Sequence, residues 1–219
     1  MKTEKKIKFI LGAISSFLLI ALFVLWTYLV SFVDVQEIGP CGSSVGLATV
    51  NRYVHELTGV NFMLYSVTDW LGLIPIAVCL CFALMGLVQL IRRRSLFKVD
   101  RSILLLGVFY AVVIAVYVLF EYIVVNYRPV LISGCLEVSY PSSTTLLTLC
   151  VMPTAWLQLK ERIKKVWLWR CTSVIIIAFT MFMVAGRLIS GVHWFSDIVG
   201  GAILSAGLVM GYYAANDAL

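Results

Sequence analysis

Three ionisable residues lie at fixed offsets in an otherwise apolar stretch that reads GRLISGVHWFSDIVGG, from Gly186 to Gly201. His193 and Asp197 are four residues apart, so on a helix they would share one face. A carboxylate placed there accepts the imidazole Nδ1–H, which fixes the tautomer and leaves Nε2 as a nucleophile or base. Arg187 adds a planar guanidinium that suits a phosphate or carboxylate. The spacing therefore predicts an oriented nucleophile beside an anion-binding group.

Two earlier segments carry further groups that bind anions. In NYRPV, Arg128 precedes a proline that is expected to end a helix. In YPSSTT, the proline suits the first turn of a helix, and the hydroxyls at that helix start belong to Ser142, Ser143 and Thr144. The free N–H groups of such a start attract an anion. Each feature also has an ordinary explanation, as a headgroup contact, a helix cap or a structural hydrogen bond. Together they predict a phosphate pocket with a nucleophilic histidine.

Composition indicates which elements position these groups. The 219-residue chain is 62% hydrophobic and 13% charged, whereas soluble domains are about half apolar and a quarter charged. Lipid cannot satisfy open backbone groups, so spanning segments must be helical. Six apolar runs are long enough to cross a bilayer, at 7–32, 66–91, 103–126, 142–159, 172–190 and 198–215. We therefore expect an all-α polytopic membrane protein, a bundle of six transmembrane helices forming one domain over 1–219, with its motif-bearing core at 103–215. The first run is too long for a signal-peptide core and is expected to be the first span.

The loop between the first two runs contains VGLATVNRYVHELTG, whose apolar residues approximate one helical face. This pattern predicts a short interfacial helix. Its polar members are expected to face water, namely Asn51, Arg52, His55 and Glu56.

The formal net charge of +6 could suggest nucleic acid, but its distribution indicates membrane topology instead. Of the 17 Lys and Arg residues, all but Arg52, Arg128 and Arg187 lie in three clusters, before span one, between spans two and three, and between spans four and five. The positive-inside rule places these clusters and both termini in the cytoplasm, and the three motifs on the outer face. The clusters are then contacts for anionic lipid, and no nucleic-acid partner is expected.

The three segments together resemble the pattern of the type 2 phosphatidic acid phosphatase superfamily, whose core is shared with vanadium haloperoxidases. That pattern is Lys, six residues, Arg-Pro; then Pro-Ser-Gly-His; then Ser-Arg, five residues, His, three residues, Asp. This chain has EYIVVNYRP, PSST and GRLISGVHWFSD. The resemblance implies that His193 attacks phosphorus to form a phosphohistidine, that Asp197 orients it, and that no metal or other cofactor is needed. It also implies a set of phosphate-binding residues, namely Arg128, Arg187, Ser142, Ser143 and Thr144.

Three positions depart from this pattern. Glu121 stands where the pattern has lysine, Ser143-Thr144 stands for Gly-His, and Gly186 stands for serine. The usual acid for the leaving group is thus replaced by a threonine, which is too weak an acid for that task. Glu121 precedes Arg128 by seven residues, two turns on one helical face, where it would either act as a protonated donor or pair with a neighbouring residue.

The expected function is an outward-facing lipid phosphate or pyrophosphate phosphatase. A pyrophosphate, such as a polyprenyl pyrophosphate, is the expected preference because its leaving group departs as a stabilised anion. The alternatives are a lipid phosphotransferase, a non-catalytic lipid-phosphate binding or transport protein, and a purely structural membrane component. The expected location is the bacterial plasma membrane, and the expected partners are the lipid substrate and membrane lipids.

Other sequence features leave alternatives open. Gly207 and Gly211 permit close helix packing within a subunit or in a homo-oligomer. Cys41 and Cys135 both fall on the expected outer face, where they would form either a disulfide or two free thiols. No Cys or His spacing resembles a metal site.

Overall fold

The computed structural model describes residues 2–219, and within them it consists of helices and loops without a β-strand. The helices follow in the order α1 (Lys2–Phe32), α2 (Ala48–Thr58), α3 (Phe62–Leu71), α4 (Leu73–Arg93), α5 (Arg101–Tyr122), α6 (Ser143–Arg162), α7 (Val166–Ile189) and α8 (Phe195–Ala218). The all-α class predicted from the sequence is therefore confirmed.

Five segments of the described chain are long and apolar enough to cross a membrane, namely Glu4–Phe32, Phe62–Arg93, Arg101–Tyr122, Val166–Ile189 and Phe195–Ala218. The remaining long helix, α6, packs against α4, α5, α7 and α8. Its buried face carries polar side chains, including Thr145, Thr148, Thr154 and Gln158. Polar residues in membrane bundles face the interior, so the central position of α6 accounts for its lower hydrophobicity.

The second apolar run is interrupted at Gly72, between α3 and α4, although Gly72 keeps right-handed helical angles, with φ −59° and ψ −18°. Pro75, in the first turn of α4, has no N–H, and its ring would collide with the carbonyl of the residue four positions earlier in a continuous helix. The break frees α3 to pack against α7, where it reaches the site described below.

The end of α5 differs from the prediction. The apolar run extends to residue 126, but α5 ends at Tyr122 and Ile123 is extended, with φ −92° and ψ 94°. The chain then folds back on itself, and Arg128 N donates to Glu137 O at 2.9 Å while Ser139 N donates to Asn126 O at 3.0 Å. These hydrogen bonds satisfy backbone groups that no longer belong to a helix. The expectation that Glu121 and Arg128 share a helical face is therefore wrong.

Helix α2 forms where the amphipathic pattern predicts it, but one of its polar residues does not face water as predicted. Asn51 is completely buried rather than exposed to water. Its amide donates to Gly46 O at 2.8 Å and accepts from Ser196 N at 3.0 Å, which compensates for its burial. His55 is half-buried, with its ring 5.4 Å from the ring of Trp194.

The small residues of α8 allow it to pack closely along α1 of the same chain. A Cβ at Gly207 would lie 2.8 Å from Ile20 Cδ1, and Ser16 Oγ donates to Gly207 O at 2.7 Å. Gly211 lies over the same serine. The glycine spacing therefore serves packing within the chain. The cysteines of the described residues are all free, and Cys41 and Cys135 are both exposed.

Candidate active site

The three motifs meet at one end of the helix bundle. They occupy the end of α5 and the loop after it, the start of α6, the end of α7 and the start of α8. Residues from the basic segments and the C-terminus meet at the other end, where Lys5, Lys8, Glu161 and Asp217 line a common cleft. The fold thus separates the candidate site from the basic clusters by the length of the helices.

Arg128 and His193 are in direct contact, with Nη1 of the arginine 3.2 Å from Nε2 of the histidine. Both side chains are buried. Because a guanidinium only donates, Nε2 must accept, and the ring proton lies on Nδ1. Burial lowers the pKa of His193 to about 4, and the positive charges of Arg128 and Arg187 act in the same direction, whereas Asp197 opposes them. The imidazole is therefore neutral near pH 7.

Asp197 lies beside the other ring nitrogen, with Oδ2 3.7 Å from His193 Nδ1. This distance is too long for a direct hydrogen bond. His193 precedes α8 rather than lying on it, so the two residues are adjacent through the turn before the helix and not through a shared helical face. Asp197 is in the first turn, where its Oδ2 accepts from Trp194 N at 2.9 Å. That bond and the positive end of the helix hold the carboxylate in place.

A buried amide network supports Asp197 from the other side. Asn126 Nδ2 lies 3.3 Å from Asp197 Oδ1, and Asn51 Nδ2 donates to Ser196 Oγ at 2.9 Å. Asn51, Asn126 and Ser196 are almost inaccessible to solvent. The motif spacing gives no sign of Asn51 or Asn126. Asn126 is the last residue of the third apolar run, and Asn51 lies in the predicted amphipathic helix, where the pattern predicts that it faces water.

Glu137 lies beside Arg128. The backbone pairing described above brings its Oε2 to 3.0 Å from Arg128 Nε. The Nε–H does not point at the carboxylate, so this contact is electrostatic rather than a hydrogen bond. Tyr65 of α3 lies near both arginines, with its ring centroid 5.9 Å from the guanidinium carbon of Arg128 and 5.0 Å from that of Arg187. The two cations therefore flank one aromatic ring.

Arg187 is in the last turn of α7, and its side chain is only 2% exposed. Its Nη2 donates to Thr144 Oγ1 at 2.6 Å and to Asp69 Oδ1 at 3.1 Å. Its Nη1 lies 3.5 Å from Thr68 Oγ1. The sequence gives no prediction for Tyr65, Thr68 and Asp69, because α3 has no fixed spacing to the motifs.

Gly186 explains how α3 comes so close to α7. A Cβ at this position would lie only 2.7 Å from Thr68 Cγ2. The glycine therefore removes the atom that would keep the two helices apart. Asp69, one residue beyond Thr68, reaches Arg187 for this reason.

The remaining predicted site residues take different positions. Ser142 precedes α6 and is fully buried; its N donates to Asp197 O at 3.1 Å, and its Oγ accepts from Thr145 at 3.0 Å. Ser143 and Glu121 line one pocket together with Arg128 and His193. Of the predicted site residues, the structure thus brings His193, Arg128, Ser143 and Glu121 to a shared cavity. Arg187, Thr144, Ser142 and Asp197 do not line it.

Comparisons with known proteins add a family and a related fold. The family model described as the PAP2 superfamily matches residues 102–218, which is more than half of the chain. The fold is similar to the crystal structure of a transmembrane PAP2 type phosphatidylglycerolphosphate phosphatase from Bacillus subtilis, with a TM-score of 0.59 and 17% sequence identity. That similarity covers 92% of this chain and 94% of the other. A comparison with curated proteins gives no match.

Proposed function

Because the chain belongs to the PAP2 superfamily, we propose that it is an integral membrane lipid phosphatase that acts at the pocket around His193. The observation that carries this proposal is the contact between His193 and Arg128, a neutral imidazole next to a fixed cation. A neutral ring nitrogen is a nucleophile, and a buried guanidinium is a phosphate ligand.

In the proposed reaction, a phosphoryl oxygen replaces His193 Nε2 as the acceptor of the hydrogen bond from Arg128 Nη1. This exchange releases the Nε2 lone pair, which attacks phosphorus as the bond to the leaving group breaks. Asp197 lies on the Nδ1 side, where it stabilises the positive charge that the ring acquires. Water then attacks the phosphohistidine, the P–N bond breaks, and neutral His193 is regenerated with release of phosphate.

The environment of Thr144 favours a substrate with a stable leaving group. Its hydroxyl accepts from Arg187, and an aliphatic hydroxyl is too weak an acid to protonate a departing alkoxide near neutral pH. Loss of general-acid help costs about 10²–10⁴ in rate when an alcohol must leave. A phosphate leaving group needs no such help. We therefore propose that a lipid pyrophosphate, such as a polyprenyl pyrophosphate, is preferred to a lipid monophosphate.

For the membrane arrangement, we propose that α6 is the sixth span and that the site opens on the outer face. The proposal is supported by the length of α6, 20 residues, and by its packing among the other helices. It is also supported by the basic clusters, because segments rich in Lys and Arg stay in the cytoplasm. Both termini would then be cytoplasmic.

Phosphate release by purified protein from a polyprenyl pyrophosphate and from the matching monophosphate tests the proposal. We expect faster release from the pyrophosphate and loss of both reactions in His193→Ala. The other histidine of the chain provides the control, since His55→Ala should keep most of the activity. Equal or faster cleavage of the monophosphate would contradict the argument from the leaving group, and activity in His193→Ala would contradict the nucleophile.

A second candidate is a protein that binds lipid phosphates without turning them over. The observation in its favour is that each arginine has an acidic partner, Asp69 beside Arg187 and Glu137 beside Arg128. Under this alternative, neither substrate would release phosphate, whereas lipid-phosphate binding would remain and would depend on Arg128.

A further inference from the structure

Arg187 and its acidic partner differ sharply in burial. The guanidinium is 2% exposed, whereas the side chain of Asp69 is 57% exposed. Burying a cation is costly unless it is paired, so Asp69 stabilises Arg187 in this state. The carboxylate itself, however, is free to turn toward solvent without losing a buried environment.

Asp69 is brought to Arg187 by a helix and not by a free loop. Asn61, which precedes α3, donates its N–H to Ser190 O at 2.9 Å and so ties α3 to the end of α7. Thr68 packs over Gly186, and its hydroxyl donates within α3 to the carbonyls of Leu64 and Tyr65. The position of Asp69 is therefore built into the packing of α3 against α7.

The hydrogen-bond inventory of Arg187 shows what a phosphate would have to displace. Its Nη2 carries two N–H groups, and these serve Thr144 and Asp69. Its Nε–H has no partner, so a phosphoryl group that binds in the bidentate manner, through Nε and Nη2, must displace one of the two from Nη2. Asp69 and a phosphate are both anions and compete for the same donor, and their like charges also repel each other.

We propose that Asp69 is a specificity-determining residue that occupies Arg187 as an internal anion and swings into solvent when a phosphoryl group binds. This inference rests on the proposed function, and it assumes that Arg187, which the sequence predicts as a phosphate ligand, binds the phosphoryl group together with Arg128. Its consequence is a threshold of binding free energy that a phosphate must exceed to displace Asp69 from Arg187. Free inorganic phosphate, which has no further contacts, binds weakly, whereas a lipid phosphate gains enough from its apolar tail to displace Asp69.

Binding of inorganic phosphate to the purified full chain, measured by calorimetry, tests the threshold without relying on turnover. We expect Asp69→Asn to lower the Kd for phosphate about tenfold, a modest coupling because the carboxylate is largely exposed and screened. Glu161→Gln removes the same charge at the opposite end of the bundle and should leave the Kd unchanged. Asp69→Ala is a second variant, should the asparagine variant fail to fold.

The outcomes separate this inference from the proposed function. A Kd that is unchanged or higher in both Asp69 variants, with binding still lost in Arg187→Ala, would overturn the role of Asp69 and leave the phosphate site intact. An equal decrease of the Kd in Glu161→Gln would show that the effect depends only on the net charge of the protein, and this result would also overturn the role of Asp69. Absence of phosphate binding in every variant, including Asp69→Asn, would refute the phosphate site itself.

Discussion

Gly186 is the position at which one added methyl group has the most definite structural consequence. In Gly186→Ala the new Cβ would lie 2.7 Å from Thr68 Cγ2, about 1 Å closer than two carbon atoms pack. Thr68 is fully buried, and its hydroxyl is bonded to two carbonyls of α3, so its methyl cannot rotate away. The next nearest atom, Leu64 Cδ1 at 3.7 Å, makes an ordinary contact. Relief therefore requires α3 to move away from α7.

The expected cost follows from two opposing effects. Overpacking an interior by one methyl costs about 1–3 kcal/mol, whereas alanine is favoured over glycine within a helix by about 1 kcal/mol. The net loss of unfolding free energy is then about 0–2 kcal/mol, with a central value of about 1 kcal/mol. For a chain of this size the central value corresponds to a decrease in Tm of about 2–4 °C, measurable by thermal unfolding in detergent.

A double-mutant cycle isolates the cause. Thr68→Ser removes Cγ2 but keeps the hydroxyl, so Gly186→Ala should cost little in that background. Gly107→Ala, in α5, is the matched control, because nothing lies within 4 Å of its Cβ position, and it should be neutral or stabilising. The reasoning is refuted if Gly186→Ala is as stable as Gly107→Ala, or if Thr68→Ser does not rescue it.

Three further predictions concern the histidine, its carboxylate and the topology. Burial lowers the pKa of His193 to about 4, below the value of about 6.5 for an unfolded histidine, so the unfolded chain binds more protons between these values. Stability should fall as the pH decreases from about 6.5 toward 4, and Tm should fall more steeply in the wild type than in His193→Gln; parallel curves would exclude this. Asp197→Asn should fold yet lose most turnover, because the positive charge on the phosphorylated His193 ring loses its carboxylate, and unchanged kcat would remove Asp197 from the mechanism. In a background without native cysteines, Ser43→Cys should be labelled from outside and Ser95→Cys only after permeabilisation, and the reverse pattern would place the site in the cytoplasm.

Much of the helical framework could be predicted from hydropathy, because a membrane-spanning helix needs about 20 consecutive apolar residues and that requirement is visible in any sequence. Helix ends were less predictable. The apolar run through residue 126 does not reveal that the chain leaves the helix at Ile123 to pair with a later segment. The interruption at Gly72, three residues before Pro75, likewise falls inside one continuous apolar run.

The residues of the candidate site also fall into two groups, those that the sequence predicts and those that it does not. Regular spacing in the sequence led to His193, Asp197 and the two arginines. Residues contributed by distant helices had no such signal, and Asp69, Asn51 and Tyr65 became visible only from the packing of α2 and α3. Tertiary proximity of this kind depends on how helices are placed, and that placement is not encoded at any fixed offset.

Two of the positions at which the chain departs from the superfamily pattern are coupled in space. Gly186 leaves room for Thr68 at the contact between α7 and α3. Thr144 accepts one N–H of Arg187 Nη2, and Asp69 accepts the other. These changes all act on Arg187, whereas Arg128 and His193 remain in direct contact. Where Arg187 contacts the phosphoryl group equally in the ground and transition states, competition from Asp69 weakens both and raises KM without lowering kcat. The threonine at position 144 acts separately, because loss of the acid lowers the rate only for leaving groups that need a proton. The coupled positions should therefore control which phosphates are bound and which leaving groups depart, while the contact between Arg128 and His193 is left unchanged.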